Sequence, residues 1–413
     1  MMTISGGINA ARGFRAASCA AGIRYQGRDD MAMIFSETPC ALAATFTSNQ
    51  VKAAPVKWDQ AVLRAGTPVR AVVINAGIAN AATGEKGMAL CAATAEHAGR
   101  TLGVDAGAVL LGSTGVIGPQ LPLEKIRAGI GIMKKRLSDT AAAAEDASRA
   151  IMTTDTVNKE CAVSFELPAA SGNGTVRVCL GGMSKGSGMI HPNMCTMLAY
   201  LTTDCAIAPA LMQKLLGEVV KDTFNMISVD GDTSTNDTLL LLANGQAGNR
   251  MIAEEDGDCA VFLEALETVC RNLAKKMAGD GEGATHLIEM RVTGADTKEN
   301  ARLLARSVVS SSLVKAMIYG RDANCGRILC ALGYAGPAFD PEKLELYLEG
   351  AEDRLCFYRD GQVLDFDEER AARLLSAKEV RFTCDMGMGA AEATAWGCDL
   401  TYEYVRINGD YRS

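Results

Sequence analysis

Strand and helix signals alternate along the whole chain, and this alternation limits its fold more than any other feature of the sequence. The continuous apolar run at 71–74 predicts a buried strand, and the alanine-rich segment 85–102 predicts a helix. Two further apolar segments, 162–167 and 175–180, predict a hairpin across the Ser-Gly-Asn-Gly turn at 171–174. Mixed signals of this kind predict an α+β protein.

Further elements and a domain boundary can be predicted from glycine positions and from the change in pattern along the chain. A short strand at 109–111 leads into the glycine-rich heptad 112–118, which predicts a turn, and 298–317 predicts one long helix. The elements after residue 285 are shorter and more mixed than those before it. We therefore predict a core at 1–284 and a smaller α+β domain at 285–413.

Composition excludes several classes of protein. A net charge of −8 and no concentrated basic face argue against a nucleic-acid partner. No apolar stretch reaches the roughly 18 residues that span a bilayer, and the first thirty residues hold no secretory block, so we expect a cytoplasmic protein without a membrane partner. The 14 cysteines are scattered without a CxxC pair, and the three histidines have no metal-ligand spacing. We expect free thiols and no metal.

The most unusual segment is 182–198, in which three glycines and Lys185 precede Thr196. A phosphate-binding loop needs Gly-Lys-Ser/Thr at the start of a helix, and here the lysine comes before the glycine pair. An ordinary surface turn remains open from this segment alone. The segment 230–241 is similar to a calcium loop, but Thr235 stands where that loop needs glycine, so calcium is not expected.

Several motifs occur together in a compatible order, and together they resemble one known family. Beside 182–198 they are the heptad 112–118 and the segments 53–56, 228–237, 280–285, 313–315 and 406–411. The chain resembles the ornithine acetyltransferase (glutamate N-acetyltransferase) family of the arginine pathway over nearly its whole length. The resemblance implies a layered core of two β-sheets between helices, completed by both halves of a self-cleaved chain.

The resemblance also implies the chemistry. Thr196 would attack the peptide bond after Cys195 and become the first residue of a second fragment. The partners that the resemblance implies are the two fragments themselves, two copies of each in a heterotetramer. The new α-amine, with a reference pKa of roughly 7.7–8.0, is a suitable base beside a poorly nucleophilic hydroxyl. Thr196 would then move acetyl from N2-acetylornithine to L-glutamate without a cofactor. Whether acetyl-CoA also serves as a donor stays open.

Site residues carried over from the resemblance fall into two groups. Thr114 and Gly115 would form the oxyanion hole, whose donors stabilise the tetrahedral intermediate of acyl transfer. The implied substrate contacts are Thr153 or Thr154, Lys185, Thr196, Glu282, Asn408 and Ser413. A carboxylate such as Glu282 suits the free amine of ornithine, and Lys185 suits a substrate carboxylate. Without the resemblance, the last residues of the chain would be expected to be disordered.

This sequence departs from the family pattern at three places. Cys195 replaces a small alanine, which should leave cleavage intact because its side chain lies on the leaving half. The run 75–80 lacks two polar groups, and Ala323 and Cys325 replace proline and tryptophan. Two other functions also fit the sequence: a self-cleaving aminopeptidase or amidase, in which water replaces glutamate, and a non-catalytic amino-acid-binding protein that never matures.

Overall fold

The fold was analysed in a computed structural model that describes residues 1–191 and 197–410. Its strands and helices alternate as the sequence predicts. The strands are β1 (Met2–Ile4), β2 (Phe14–Cys19), β3 (Met31–Phe46), β4 (Val69–Ile78), β5 (Val109–Val116), β6 (Lys159–Pro168), β7 (Thr175–Lys185), β8 (Leu198–Thr203), β9 (Ile227–Ser228), β10 (Thr238–Ala243), β11 (Leu287–Ala295), β12 (Glu345–Glu349), β13 (Arg354–Arg359), β14 (Gln362–Val363), β15 (Glu379–Asp385) and β16 (Ala391–Cys398). The helices are α1 (Ala54–Ala65), α2 (Gly84–Leu102), α3 (Leu123–Arg136), α4 (Ala141–Ala150), α5 (Pro209–Asp222), α6 (Gly257–Gly279), α7 (Lys298–Ser310), α8 (Ser312–Gly320), α9 (Cys325–Gly333), α10 (Glu368–Leu375) and α11 (Tyr402–Gly409).

The chain divides into two compact units, and each has its own sheet. The first unit comprises Met1–Gly186, Asn193–Lys221 and Thr233–Leu273. The second comprises Ser187–Pro192, Asp222–Asp232 and Ala274–Ser413. The predicted α+β class with two sheets is confirmed. The boundary between residues 284 and 285 remains a prediction about domain organisation.

The sheet of the first unit has nine strands among the described residues. Eight follow the order β1-β6-β7-β8-β10-β3-β4-β5, and β2 pairs with β3. The long strand β3 makes this possible, because its first part pairs with β2 and β4 while its second part, from Ala41 to Phe46, pairs with β10. The pairs β4·β5 and β8·β10 are parallel, and the others are antiparallel.

Both faces of β4 are buried, as its continuous apolar run predicts. Val72 and Ile74 enter one core cluster together with α4 and Tyr200. Ala71 and Val73 point to the opposite face and enter a second cluster with α2 and α3. Because side chains alternate along a strand, one short run of apolar residues supplies both layers.

The second unit contains a sheet of seven strands within the described residues. Its order is β14-β13-β12-β15-β11-β16-β9, in which β11 lies parallel to β15 and antiparallel to β16. Helix α7 packs on β11 and β16 and buries Leu304 and Val308. Among the described residues, no helix is both long and apolar enough to cross a membrane.

Two predictions about element boundaries were wrong. Residues 112–116 are strand, not turn, because β5 continues in parallel register with β4 as far as the pair Ile78↔Val116. The predicted helix 298–317 is two helices, because Ser311 has extended backbone and its side chain accepts a hydrogen bond from Val314 N–H, which caps the start of α8.

Candidate active site

Lys185, the last residue of β7, joins two of the other predicted site residues. Its Nζ lies 2.8 Å from Oγ1 of Thr153 and 3.4 Å from Oγ1 of Thr114. Thr114 belongs to β5, and Thr153 lies in the connection between α4 and β6. Lys185 is 7% exposed, so its ammonium group is held largely by protein atoms. Two strands and one connecting segment therefore bring one cation and two hydroxyl groups together.

Of the two candidate threonines, Thr153 is the one in contact with Lys185. The Thr153 hydroxyl accepts a hydrogen bond from Lys185, and the Thr153 N–H donates to Asp155 Oδ2 at 3.1 Å. No comparable contact of the Thr154 side chain with this group occurs in the described part of the chain. Thr153 is therefore the residue that belongs to the cluster.

Asp155 is a buried carboxylate that the sequence analysis did not single out. Its Oδ1 accepts from Lys159 Nζ and from Gly186 N–H, both at 2.7 Å, and its Oδ2 lies 3.7 Å from Lys185 Nζ. Burial opposes ionisation of this carboxyl, but the ammonium groups of Lys185 and Lys159 outweigh that effect and hold its pKa well below the ordinary value. Asp155 is therefore an anion at neutral pH.

The backbone at Gly115 can exist only because that residue is glycine. Gly115 has φ of 125° and pairs with Gly77 across β4 and β5. A Cβ built at Gly115 would lie 2.2 Å from the Gly77 carbonyl carbon, closer than any real contact. Glycine therefore allows both the positive φ and the close strand approach beside Thr114.

Buried amides hold the strand ends around Thr114. Asn236 Nδ2 donates to the carbonyls of Ala79 and Ser113, at 2.6 and 2.7 Å. The Ser113 hydroxyl donates to Asn75 Oδ1 at 2.6 Å. The run 75–80 differs from the family pattern but keeps Asn75. The side chain of Asn75 thus has a structural role beside Thr114 and Gly115.

Asp237 immediately precedes β10, the strand that pairs with β8 after the Cys195–Thr196 junction. Thr238 N–H donates to the Met197 carbonyl at 2.8 Å, and β10 then runs parallel to β8. The Asp237 carboxyl is buried, and neither of its oxygens has a hydrogen-bond partner among the described residues. Burial raises the pKa of this carboxyl well above the ordinary value. The sequence analysis placed this position in the motif 228–237 and in a rejected calcium loop, without assigning it a role.

Two predicted substrate contacts meet within the second unit. Asn408 Nδ2 donates to Glu282 Oε2 at 2.7 Å and to the Tyr404 carbonyl at 3.0 Å. The Glu282 N–H donates to the Ser187 carbonyl at 2.9 Å, and a Cβ at Gly188 would lie 2.4 Å from the Glu282 carboxyl. Glycine at 188 therefore leaves room for that carboxyl. Asn408 lies in α11 rather than in the disordered end that its position alone would suggest.

Three predicted site residues, Cys195, Thr196 and Ser413, lie outside the described residues. Within residues 1–191 and 197–410, no cluster of three histidine, cysteine, aspartate or glutamate side chains could hold a metal ion. The described site offers an ammonium group and hydroxyl groups, which are suited to stabilising an anion.

Comparisons of the sequence and of the structure with known proteins all find members of the ArgJ family. A model described as the ArgJ family matches residues 15–413. The "Arginine biosynthesis bifunctional protein ArgJ" of Symbiobacterium thermophilum is 48% identical over 415 residues, covering 100% of each chain. Two solved structures are also similar. The ArgJ protein of Bacillus halodurans is 43% identical, with a TM-score of 0.49, over 51% of this chain and 97% of that one. An ornithine acetyltransferase from Mycobacterium tuberculosis complexed with ornithine is 42% identical, with a TM-score of 0.41, over 46% of this chain and 99% of that one.

Proposed function

This chain belongs to the ArgJ family, and on that premise we propose that Thr196 is the nucleophile of its acetyl transfer. The protein is an acetyltransferase of arginine biosynthesis that moves acetyl from N2-acetylornithine to L-glutamate. The observation that best supports the proposed site is the meeting of Thr114, Thr153 and Lys185, which come from two strands and one connecting segment. We also propose that this biosynthetic enzyme is located in the cytoplasm.

Maturation by self-cleavage would make the nucleophile and its base from one residue. The Thr196 hydroxyl oxygen attacks the Cys195 carbonyl carbon, the bond from that carbon to the Thr196 nitrogen breaks, and the hydroxyl proton passes to that nitrogen. Water then hydrolyses the ester, which leaves a carboxylate on Cys195 and a free α-amine on Thr196. An α-amine titrates near neutral pH and can accept a proton from the adjacent hydroxyl.

Acetyl transfer then proceeds in two halves. The Thr196 oxygen bonds to the acetyl carbon of N2-acetylornithine, the amide C–N bond breaks, and the proton taken up by the Thr196 amine passes to the ornithine nitrogen. The glutamate amine next attacks the acetyl ester, and the threonine hydroxyl is restored. Both halves and the self-cleavage pass through a tetrahedral oxyanion, which the Thr114 hydroxyl and the Gly115 N–H would stabilise.

Substrate recognition would use charged groups of both signs. Lys185 suits a substrate carboxylate, with Thr153 beside it. Among the described residues, the side chain that donates to the Glu282 carboxylate is the neutral amide of Asn408. Glu282 therefore suits the amine of ornithine. Ser413 is kept as a proposed contact because the resemblance implies it.

Mass spectrometry tests the covalent intermediate. With N2-acetylornithine alone, the fragment 196–413 should gain the mass of one acetyl group, and tryptic mapping should place it on Thr196. Initial rates against both substrates should give parallel lines. An unmodified fragment together with intersecting lines would contradict the proposal and indicate direct transfer.

Two further assays define the reaction and the assembly. Product analysis should find N-acetylglutamate; free acetate in its place would identify the self-cleaving hydrolase instead. Replacing N2-acetylornithine by acetyl-CoA tests the second donor that the relative's bifunctional name suggests. We also propose an assembly of two copies of each fragment, which native mass measurement would check.

A further inference from the structure

The hydroxyl oxygen of Thr114, the proposed oxyanion donor, accepts a hydrogen bond from the ammonium group of Lys185. Lys185 Nζ lies 3.4 Å from Thr114 Oγ1 and 2.8 Å from Thr153 Oγ1. An ammonium group can only donate, and a hydroxyl that accepts from it keeps its own hydrogen for another acceptor. The hydrogen of Thr114 therefore points away from Lys185.

Asp155 also contacts the group around Lys185. Its carboxylate accepts from the Thr153 N–H and from the Gly186 N–H, which immediately follows Lys185. It also lies 3.7 Å from Lys185 Nζ. One buried anion thus fixes the lysine, the peptide after it and the threonine that receives its hydrogen bond.

Lys159 sets the charge of this cluster. Its side chain is fully buried and donates to Asp155 at 2.7 Å. Lys159 and Asp155 together are neutral, so the charge of Lys185 remains as the net positive charge of the group. A net positive charge beside the Thr114 hydroxyl favours any anion to which that hydroxyl donates.

We propose that Lys185 is a positioning residue for the Thr114 hydroxyl, which it directs toward the oxyanion and strengthens as a donor, with Asp155 and Lys159 holding Lys185 in place. This inference rests on the proposed function, in which Thr114 is the oxyanion donor. It gives Lys185 a task beyond binding a substrate carboxylate. Hydrogen bonds in a chain polarise one another, so the Thr114 hydroxyl that accepts from an ammonium group donates more strongly.

Self-cleavage separates the two tasks of Lys185, because that reaction involves no substrate carboxylate. Lys185→Met keeps the length of the side chain and leaves the neutral Asp155–Lys159 pair intact. We expect it to slow self-cleavage of newly made chains and to lower kcat of the mature enzyme, each by about tenfold or more. The exposed Lys135→Met is the matched control for loss of a lysine charge, and it should change neither rate.

A double-substitution cycle tests whether Lys185 acts through Thr114. In a Thr114→Ala background, the further loss caused by Lys185→Met should nearly vanish, whereas in Thr114→Ser, which keeps the hydroxyl, the loss should return. The pair Asp155→Asn/Lys159→Met removes both charges of the neutral pair and avoids leaving either one buried alone. It should lower kcat more than it changes KM, and this loss should also disappear in Thr114→Ala.

Two results would overturn the inference. The first is unchanged self-cleavage in Lys185→Met together with a raised KM for N2-acetylornithine, because the lysine would then bind substrate only. The second is independent, multiplying losses from Lys185→Met and Thr114→Ala. If wild-type Thr196 is still acetylated in those experiments, the proposed function stands and only the role of Lys185 is rejected.

Discussion

Thr114 is the residue on which the proposed chemistry depends most directly. Its hydroxyl lies within reach of Lys185, and its strand neighbour Gly115 carries the positive φ. Thr114→Ala should lower turnover by about 10²–10³, the usual loss for one oxyanion donor. The KM should change little, because the contact is made mainly in the transition state. Steady-state kinetics on purified, fully cleaved enzyme measures both constants.

Thr114→Ser is the control for this prediction. It retains the hydroxyl and should keep much of the turnover and of the self-cleavage rate. If Thr114 only shapes the strand, the alanine and serine variants should behave alike, with lower melting temperatures and nearly normal turnover. That pattern would remove Thr114 from the site.

Asp59 supplies a prediction about stability that does not involve the reaction. Its Oδ1 accepts from Leu111 N–H at 2.9 Å, and its Oδ2 has no partner among the described residues. Burial raises the pKa of this carboxyl well above its ordinary value, against the hydrogen bond from Leu111. A raised folded-state pKa contributes stability that is complete below the unfolded pKa and is lost as pH rises through the folded one.

Asp59→Asn should therefore gain stability relative to wild type as pH rises. The relative gain should begin near pH 4 and approach about 1.4 kcal/mol for each pH unit until the folded-state carboxyl ionises. Urea unfolding of both proteins at pH 4 to 8 measures it, with the exposed Asp105→Asn as the matched substitution. Parallel stability curves for wild type and Asp59→Asn would contradict the raised pKa.

At the scale of elements, the pairing of β4 with β5 depends on two facing glycines. Gly115→Ala should cost about 1–3 kcal/mol for its positive φ and about 1–3 kcal/mol more for the collision with Gly77. Gly118 also has a positive φ, but a Cβ there meets no atom within 4 Å. Gly118→Ala should therefore show only the first cost. Equal losses in urea unfolding would mean that the close approach of the strands is not rigid.

Local sequence patterns correctly predicted elements that are marked by an apolar run or by a characteristic turn sequence. The apolar run at 71–74 is a strand buried on both faces, and the turn at 171–174 does join an antiparallel pair. The heptad 112–118 failed as a turn because the pairing of β5 with β4 extends to Val116, and that long-range register overrides the local preference of glycine. Asn408 would have been placed in a disordered end, although the chain forms α11 there.

For the proposed site, local sequence patterns supplied none of the residues, and the resemblance alone named them. The contact of Lys185 with Thr153 joins positions 32 apart in sequence, and no local pattern indicates it. Asp155 follows two threonines and looks like an ordinary turn residue. Its role depends on ammonium groups supplied by Lys159 in β6 and Lys185 in β7. The spacing of four residues between Asp155 and Lys159 was the one signal in the sequence, and it is common on solvated surfaces.

At the scale of the whole molecule, the sheet of the first unit is built from both sides of the Cys195–Thr196 junction. Strands β8 and β10, which follow the junction, lie between β7 and β3, which precede it. Leu198, Tyr200 and Leu240 share one buried cluster with Ile34 and Ile74. Cutting the chain at the junction would therefore leave two fragments that share one sheet and one core.

The fragments 1–195 and 196–413 should stay together after cleavage without any disulfide. The thirteen cysteines within the described residues are all free, so β-ladders and buried side chains must hold the two fragments. They should co-elute in native gel filtration and separate in denaturing gels without reductant. Because an assembly of two copies of each fragment unfolds to four chains, a tenfold dilution should lower its apparent stability by about 4 kcal/mol. The uncut Thr196→Ala assembly would unfold to only two chains, so the same dilution should lower its apparent stability by about 1.4 kcal/mol. A midpoint independent of concentration in cleaved wild type would show that the two fragments do not separate on unfolding, contrary to this prediction.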